Sequence, residues 1–196
     1  IIIGIIFVLY EMRIPMPVLD MRLLTKNRVF AFSNLAALIN YSATYAVTFL
    51  LSLDLQFTKG FSPEHAGLIL IVQPAVMAVL SPIAGRLSDR IDPQIVASAG
   101  MACTAFGLFL LAFLTESIPL WYLLACLAVL GAGLSLFSSP NTNAIMSSVE
   151  KRYYGVASGM NGTVRLVGQM LSMGVVMMLF SFIIGRAEIT PEYYPE

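Results

Sequence analysis

Long apolar stretches without charged residues alternate with short polar segments along most of this chain. The five longest lie at residues 29–53, 66–85, 93–115, 117–149 and 166–185. Each one reaches the ~20 residues that an α-helix needs to cross the hydrocarbon core of a bilayer. The pattern therefore predicts an all-α membrane protein, a polytopic helical bundle. Its spans are expected at about residues 29–56, 65–85, 94–115, 118–139 and 156–185.

Proline residues mark where these helices are expected to end or bend. Pro140, followed by Asn141-Thr142-Asn143, is expected to end the fourth span near Ser139, because that apolar stretch is too long for one crossing. Pro74 and Pro82 within the second span predict bends or breaks, which transmembrane helices tolerate.

The composition excludes an ordinary soluble domain and several classes of site. Hydrophobic residues make up 58% and charged residues 11% of the chain, against ~45–50% and ~25% in a typical soluble domain. The net charge of zero gives no electrostatic basis for nucleic-acid binding. One histidine and two cysteines in separate spans give no metal-binding spacing, and no H-E-x-x-H or G-x-S-x-G motif is present. We therefore expect no enzymatic activity, no metal and no cofactor.

Positively charged residues fall unevenly on the two sides of the predicted bundle. One set of alternate loops holds Arg13, Arg22, Lys26, Arg28, Arg86, Arg90, Lys151 and Arg152, and the other set holds Lys59 and Arg186. Cytoplasmic loops are enriched in Lys and Arg. We therefore expect a multi-pass protein of the cell membrane, with segments 11–28, 86–92 and 141–154 in the cytoplasm and the tail 186–196 outside.

One face of the first predicted span is polar. Successive residues of an α-helix are ~100° apart, so a face of about 140° collects the polar and tyrosine side chains of this span. They are Ser33, Asn34, Asn40, Tyr41, Thr44, Tyr45, Thr48 and Ser52. Such a stripe is typical of a helix that lines a water-filled or substrate-filled cavity, and interhelical hydrogen bonding is the alternative explanation. Asn34, Asn40, Tyr41 and Tyr45 are its candidate ligand contacts.

The last predicted span carries a second polar stripe, which includes a charge. Ser158, Asn161, Arg165, Gln169 and Ser172 follow one another at spacings of three or four residues. A charge at the bilayer centre costs at least ~2.5–3.5 kcal/mol. Arg165 is therefore expected to contact an anionic or polar group on a substrate path or to couple to proton movement, with Asn161 and Gln169 beside it. The alternatives are that it snorkels to the cytoplasmic surface or pairs with an acid elsewhere.

Two further polar residues are candidates for ligand contact. Asp54 follows a long apolar run and could be a protonatable coupling residue, although its position within about one turn of the outer loop favours an interfacial acid. Gln73 lies beside Pro74, whose missing N–H frees a backbone carbonyl. An amide and a carbonyl could therefore contact a ligand together there, and packing is the equal alternative.

Small residues at short spacing predict close packing between helices. The pairs Gly155 and Gly159, Gly131 and Gly133, and Gly168 and Ser172 follow this pattern. Such pairs let helix backbones approach one another in a membrane, and they carry no information about a substrate.

One predicted cytoplasmic loop carries a family motif. Gly85-Arg86-Leu87-Ser88-Asp89-Arg90-Ile91-Asp92 resembles the signature loop of the major facilitator superfamily, roughly G-x-L-[A/S]-D-R-x-G-[R/K]-[R/K], although Asp92 and Pro93-Gln94 replace its last Gly and basic pair. The resemblance implies that Gly85, Arg86, Asp89 and Arg90 belong to a gate between two access states. Residues 61–68 and 155–160, with Arg165 and Gly168, are similar to segments of the superfamily's fourteen-helix drug:proton antiporter branch.

The resemblance implies a fold and a function. Residues 29–196 would form part of a C-terminal six-helix bundle whose last helix is missing, residues 1–10 would end a preceding transmembrane helix, and residues 11–28 would be a cytoplasmic linker. The implied function is secondary active transport by alternating access, with proton-coupled export of small lipophilic or drug-like compounds. Its partners would be a small-molecule substrate, protons, the lipid bilayer and the missing N-terminal bundle.

Two other functions fit the same residues. An uptake permease of the same superfamily would share the fold and differ in the direction of transport, and an antiporter signature in the missing half would favour export instead. A non-transporting membrane scaffold fragment is the alternative from a different class, and the two polar stripes argue against it.

Overall fold

Six α-helices form the part of the chain that the computed structural model describes, residues 25–115 and 118–183. They are α1 (Arg28–Leu53), α2 (Pro63–Leu70), α3 (Val72–Ser88), α4 (Pro93–Leu111), α5 (Leu120–Ser147) and α6 (Tyr154–Ile183). A π-helical turn, Asp54–Thr58, extends α1, and a 3-10 turn, Lys151–Tyr153, precedes α6. The predictions for residues 1–10 and 186–196, and for most of the linker 11–28, lie outside the described residues.

The helices have the length and composition of membrane spans. With α2 and α3 taken together, five segments of the described part are long and apolar enough to cross a bilayer. The expected all-α, polytopic membrane fold is therefore confirmed.

Asn27 fixes the start of α1 and links it to α5. Its Oδ1 accepts a hydrogen bond from the backbone N–H of Phe30 over 3.1 Å, which caps the helix. Its Nδ2 donates to the carbonyl of Ser148, just after α5, over 2.6 Å. One side chain therefore caps one helix and holds the end of another beside it.

A tight loop reverses the chain between α1 and α2. Gly60 adopts a φ of +68°, in the left-handed region that favours glycine. Ser62 caps α2 by accepting from the N–H of His65, and Pro63 takes the first position of the helix. Beneath the loop lies a buried apolar cluster of Leu51, Leu55, Ala66, Leu123 and Leu127.

The second span is interrupted between α2 and α3. Pro74 has no N–H to donate to the carbonyl of Leu70, four residues earlier. Accordingly α2 ends at Leu70, and the N–H of Ala75 bonds to the carbonyl of Ile71 over 2.9 Å. Pro82 lies inside α3 without ending it. The predicted break therefore occurs at the first proline of the span.

The central helix, α5, is longer than the sequence indicated. It runs to Ser147, so the expectation that it ends near Ser139 was wrong, and residues 141–147 of the predicted loop are helical. Pro140 forfeits one backbone bond, and its fixed φ suits a helix. The residue is buried, so neighbouring helices support the backbone around it.

Glycines bring α4 against α5. A Cβ on Gly100 would lie 2.4 Å from the backbone nitrogen of Phe137, and a Cβ on Gly133 would lie 2.5 Å from the Thr104 hydroxyl. Neither position has room for a side chain, so the two helices are in close contact. On another side of α5 packs α3, whereas α1 packs mainly against α6.

The α1–α6 contact uses the predicted Gly168 and Ser172 pair. A Cβ on Gly168 would lie 2.9 Å from the carbonyl oxygen of Leu38, and Ser172 is buried against α1. A Cβ on Gly155 or Gly159 would meet no atom of the described residues within 4 Å. The Gly168 and Ser172 pair therefore packs as predicted, whereas the Gly155 and Gly159 pair has no neighbouring helix in the described part of the chain.

Candidate functional site

A cleft of about 540 Å³ lies between the α1–α6 pair and the helices on the opposite side of the bundle. From α1 it is lined by Tyr41, Thr44, Tyr45, Thr48, Phe49 and Ser52. The other helices contribute Leu70, Gln73, Met77, Leu134, Gln169 and Met173. We call this space the central cleft. Its volume falls within the ~300–1,000 Å³ typical of small-molecule pockets.

The polar stripe of α1 reaches the central cleft along its C-terminal part. Tyr41 and Tyr45 line the cleft as predicted. Asn34 and Asn40 do not, because neighbouring helices bury each of them to 3% exposure. The Nδ2 of Asn34 donates to the carbonyl of Phe30 over 2.9 Å. The stripe is wider and longer than the cleft, so its N-terminal part is used for packing.

Tyr41 joins α1 to α5 at the edge of the central cleft. Its ring packs edge-on against Phe137 with 6.5 Å between the ring centroids. Its hydroxyl lies 3.3 Å from the Oγ of Ser138, within hydrogen-bond distance. These two contacts with α5 therefore fix the position of the Tyr41 ring at the edge of the central cleft.

Two other hydroxyls of the cleft are also bound within the protein. The Oγ1 of Thr44 donates to the carbonyl of Asn40 over 2.8 Å. The Oγ of Ser52 accepts from the Nε2 of Gln56 over 2.9 Å. Both hydroxyls are therefore engaged by groups of α1 or of the π-helical turn that extends it.

Gln73 lies in the cleft wall beside the α2–α3 break. Both Gln73 and Leu70 line the cleft, so the predicted pairing of an amide with a proline-freed carbonyl falls on this wall. Gly131 of α5 makes room for the turn, because a Cβ there would lie 2.6 Å from the Gln73 carbonyl oxygen.

The second polar stripe contributes one residue, Gln169, to the central cleft. Arg165, one turn earlier on α6, is exposed and makes no hydrogen bond or ion pair within the described residues. Asn161 contacts the C-terminal part of α5, where its Nδ2 donates to the Oγ1 of Thr142 over 3.4 Å. The stripe is therefore split between the cleft, an open surface and a helix contact.

Asp54 lies away from the cleft lining, in the π-helical turn that extends α1. Its side chain is partly buried, and its Oδ2 is enclosed without a hydrogen-bond partner in the described part of the chain. One carboxylate oxygen is therefore shielded by the protein, and the two predicted roles of Asp54, coupling residue and interfacial acid, stay predictions.

The first half of the signature loop, residues 85–88, forms the last turn of α3, and the charged side chains of the loop are exposed. Arg86, Asp89 and Arg90 form no ion pair with any described residue. Gly85 lies close to α5, since a Cβ there would be 3.3 Å from the Oγ of Ser139. The same helix end therefore packs on α5 while its charges face outwards.

Sequence reasoning missed two polar contacts around this loop. The Nδ2 of Asn143 donates to the Oγ of Ser88 over 3.2 Å, and that hydroxyl donates to the Gly85 carbonyl over 2.8 Å. The predicted loop after Ser139 hid the first contact. The second missed contact lies at the start of α4. Asp92, noted in the sequence only as a departure from the motif, accepts a hydrogen bond from the Gln94 N–H over 2.9 Å and so caps that helix.

None of the described side chains that line the central cleft carries a formal charge. The described residues also contain no group of three His, Cys, Asp or Glu side chains that could hold a metal ion. The chemistry that the cleft offers is therefore hydrogen bonding and apolar contact.

Comparison with known proteins decides the family. The sequence profile of the Major Facilitator Superfamily matches residues 34–187, most of the chain. The chain belongs to the major facilitator superfamily. The family that the sequence of the signature loop indicated is thereby confirmed.

Individual superfamily members are similar over most of this chain. Riboflavin transporter RibZ of Clostridioides difficile is 34% identical over 164 residues, which are 84% of this chain and 36% of that protein. Uncharacterized transporter YebQ of Escherichia coli is 31% identical over 185 residues, 92% of this chain and 39% of that protein. Multidrug resistance protein Stp of Mycobacterium tuberculosis is 28% identical over 171 residues, 87% and 32% respectively. The chain therefore spans about a third of the length of these relatives.

Membership in the major facilitator superfamily also explains the apolar outer surface. Phe182, Met170 and Val79 are 81%, 72% and 70% exposed in the described bundle. Such surfaces are rare on soluble monomers. On a membrane bundle they face lipid or further helices, where exposed apolar side chains cost nothing.

Proposed function

We propose that this bundle is the C-terminal part of a secondary active transporter that exports small lipophilic or drug-like compounds across the cell membrane. Protons are the coupling ion and alternating access is the mechanism. The central cleft is this bundle's share of the substrate path. An N-terminal bundle, as the superfamily resemblance implies, forms the facing wall.

The convergence of polar side chains from three helices carries this proposal. Tyr45 of α1, Gln73 of α3 and Gln169 of α6 line one cleft inside an otherwise apolar bundle. Polar groups in a membrane interior cost free energy unless they meet a partner or water. Their collection in one place supports a binding path, and it argues against a scaffold that merely packs.

The name of one relative and the apolar wall of the cleft support the direction of transport and the substrate class. Stp is named for multidrug resistance, which supports export of drug-like compounds. Phe49, Met77 and Met173 give the cleft an adaptable apolar wall suited to such compounds. Arg165 is the proposed coupling residue, acting as a fixed positive charge one turn from Gln169 that makes no ion pair in the described part of the chain. A guanidinium keeps its proton in a protein, so another group carries the transported proton.

The signature loop is the proposed cytoplasmic gate. Arg86, Asp89 and Arg90 are exposed, so they are free to contact a facing bundle. The bonds from Asn143 to Ser88 and from Ser88 to Gly85 hold the base of the loop against α5. If the signature loop lies on the cytoplasmic side, the loop between α5 and α6 lies on that side too.

The test is a transport assay on the complete gene product that contains this chain. The protein is reconstituted in proteoliposomes that enclose a pH-sensitive dye, a proton gradient is imposed, and lipophilic cations and neutral drugs are added. Arg165→Ala and Asp89→Asn are compared with the wild type. Arg152→Ala is the control, because this exposed arginine is paired with Glu150 and lies away from the cleft.

The proposal expects substrate-driven proton movement in the wild type and in Arg152→Ala, and its loss in Arg165→Ala. Proton movement that persists in Arg165→Ala and Asp89→Asn would reduce both residues to structural roles. Folded wild-type protein that moves no protons with any compound would contradict proton-coupled export.

A further inference from the structure

The polar groups of the central cleft divide into those that the protein already binds and those that are free. The hydroxyls of Tyr41, Thr44 and Ser52 have partners in the protein. Within the described part of the chain, Tyr45, Thr48, Gln73 and Gln169 make no side-chain hydrogen bond. The second group is therefore what the cleft offers to a ligand.

Two of the free groups are amides on different walls. Gln73 lies on α3 and Gln169 on α6, and each amide presents both an N–H donor and a C=O acceptor. Amides are satisfied best by a ligand that also carries both a donor and an acceptor.

Aromatic rings and flexible thioether side chains surround these amides in the cleft wall. Phe49 and the ring of Tyr45 offer aromatic surfaces for packing. Met77 and Met173 are flexible thioethers that make favourable contacts with ring edges. This combination fits a planar ring system better than a branched aliphatic one.

The electrostatics of the cleft disfavour a fixed positive charge. No described side chain in the lining is an acid that could neutralise a cation. The formal charge nearest along α6 is Arg165, one turn from Gln169, and it is positive. Aromatic faces attract cations weakly, and this attraction does not replace the hydration that an unpaired ion loses in an apolar site.

We infer that the central cleft selects uncharged, planar heteroaromatic compounds that carry an amide-like N–H and C=O. It discriminates against the same ring system bearing a fixed positive charge. Gln73 and Gln169 are the residues that determine this specificity. The inference rests on the proposed function only in taking the cleft as the place where substrate binds.

The test compares two tricyclic probes of nearly equal size. Acridone is neutral and carries one N–H and one C=O on its ring, whereas 10-methylacridinium is a permanent cation. Both fluoresce, so equilibrium dialysis against the purified complete gene product measures their binding directly. The variants are Gln73→Leu and Gln169→Leu. The control is Gln94→Leu, which changes an exposed glutamine at the start of α4, outside the cleft lining.

We expect the wild type to bind acridone at least about tenfold more tightly than 10-methylacridinium. Each cleft variant should weaken acridone binding about five- to tenfold, the size of one lost hydrogen bond. The control should leave it unchanged. Gln73→Glu supplies a gain-of-function test, because a carboxylate in the cleft on α3, rather than beside Arg165 on α6, should reverse the preference towards 10-methylacridinium. A misfolded protein could not produce that reversal.

Failure of this inference is distinguishable from failure of the proposed function. Equal or tighter binding of 10-methylacridinium by the wild type, or acridone binding that both leucine variants retain, would overturn the selectivity. The absence of binding for both probes would overturn it as well. Amide-dependent acridone binding without transport in proteoliposomes would support the selectivity and contradict the transporter mechanism.

Discussion

Ser172 of α6 accepts a hydrogen bond from the backbone N–H of Ala46 in α1 over 3.0 Å. Both residues are buried, at 4% and 6% exposure. Gly168 lies one turn away on the same face of α6, against the backbone of α1. Tyr45 precedes Ala46, Gln169 follows Gly168, and both line the central cleft. The α1–α6 contact therefore sets the distance between these two cleft residues.

Replacing Gly168 with alanine should loosen the α1–α6 contact. The added Cβ would lie 2.9 Å from the Leu38 carbonyl oxygen and 3.0 Å from the Tyr41 Cβ. We expect a loss of about 1–3 kcal/mol of stability from overpacking, although alanine is normally better than glycine in a helix by about 0.5–1 kcal/mol. Gly174→Ala is the control, since its Cβ would meet no described atom within 4 Å. Thermal unfolding in detergent measures both, and equal melting temperatures would contradict the packing account.

Asp92→Ala should destabilise the start of α4. The carboxylate of Asp92 caps that helix through the N–H of Gln94, and loss of such a cap costs about 0.5–2 kcal/mol. Asp89→Ala removes a nearby exposed acid that makes no side-chain hydrogen bond in the described part of the chain. Thermal unfolding should therefore distinguish the two variants. A melting temperature that falls as much in Asp89→Ala as in Asp92→Ala would show that the cap is not the cause.

Asn143→Ala should slow transport without changing substrate affinity. Its amide donates to Ser88 at the base of the signature loop. Loss of this hydrogen bond loosens the loop from α5, which should slow the movement of the proposed gate, and it changes no residue of the central cleft. One neutral hydrogen bond of ~1 kcal/mol corresponds to about a fivefold change in rate. Ser88→Ala should have a similar effect, and the double variant should be no worse than either single one. Additive effects, or weaker substrate binding, would contradict this role.

Much of the bundle follows from local sequence signals. The apolar stretches predict the spans because length and hydropathy alone decide which segments cross a membrane. Ser62 and Pro63 mark the start of α2, and Pro74 marks the α2–α3 break, because each acts through its own backbone geometry. Such features need no knowledge of the neighbouring helices.

The site was less predictable, because it depends on which helices pack together. Asn34 and Tyr45 belong to one polar stripe, yet the first is covered by other helices and the second faces the central cleft. Pro140 ends a helix in isolation but is accommodated in the buried middle of α5. The partnership of Asn143 with Ser88 followed from that longer helix and was hidden with it.

The accessibility of the central cleft to water and to substrate tests the account most directly. Thr48→Cys places a thiol in the cleft lining, and Glu64→Cys places one at the exposed start of α2, outside that lining. The wild type measures background labelling of the packed Cys103 and Cys126. We predict that a water-soluble maleimide labels both Thr48→Cys and Glu64→Cys in proteoliposomes, and that a compound transported in the proton assay slows the labelling of Thr48→Cys without affecting Glu64→Cys. Labelling of Thr48→Cys that is absent, or unchanged by saturating compound, would contradict the assignment of the central cleft as the substrate path.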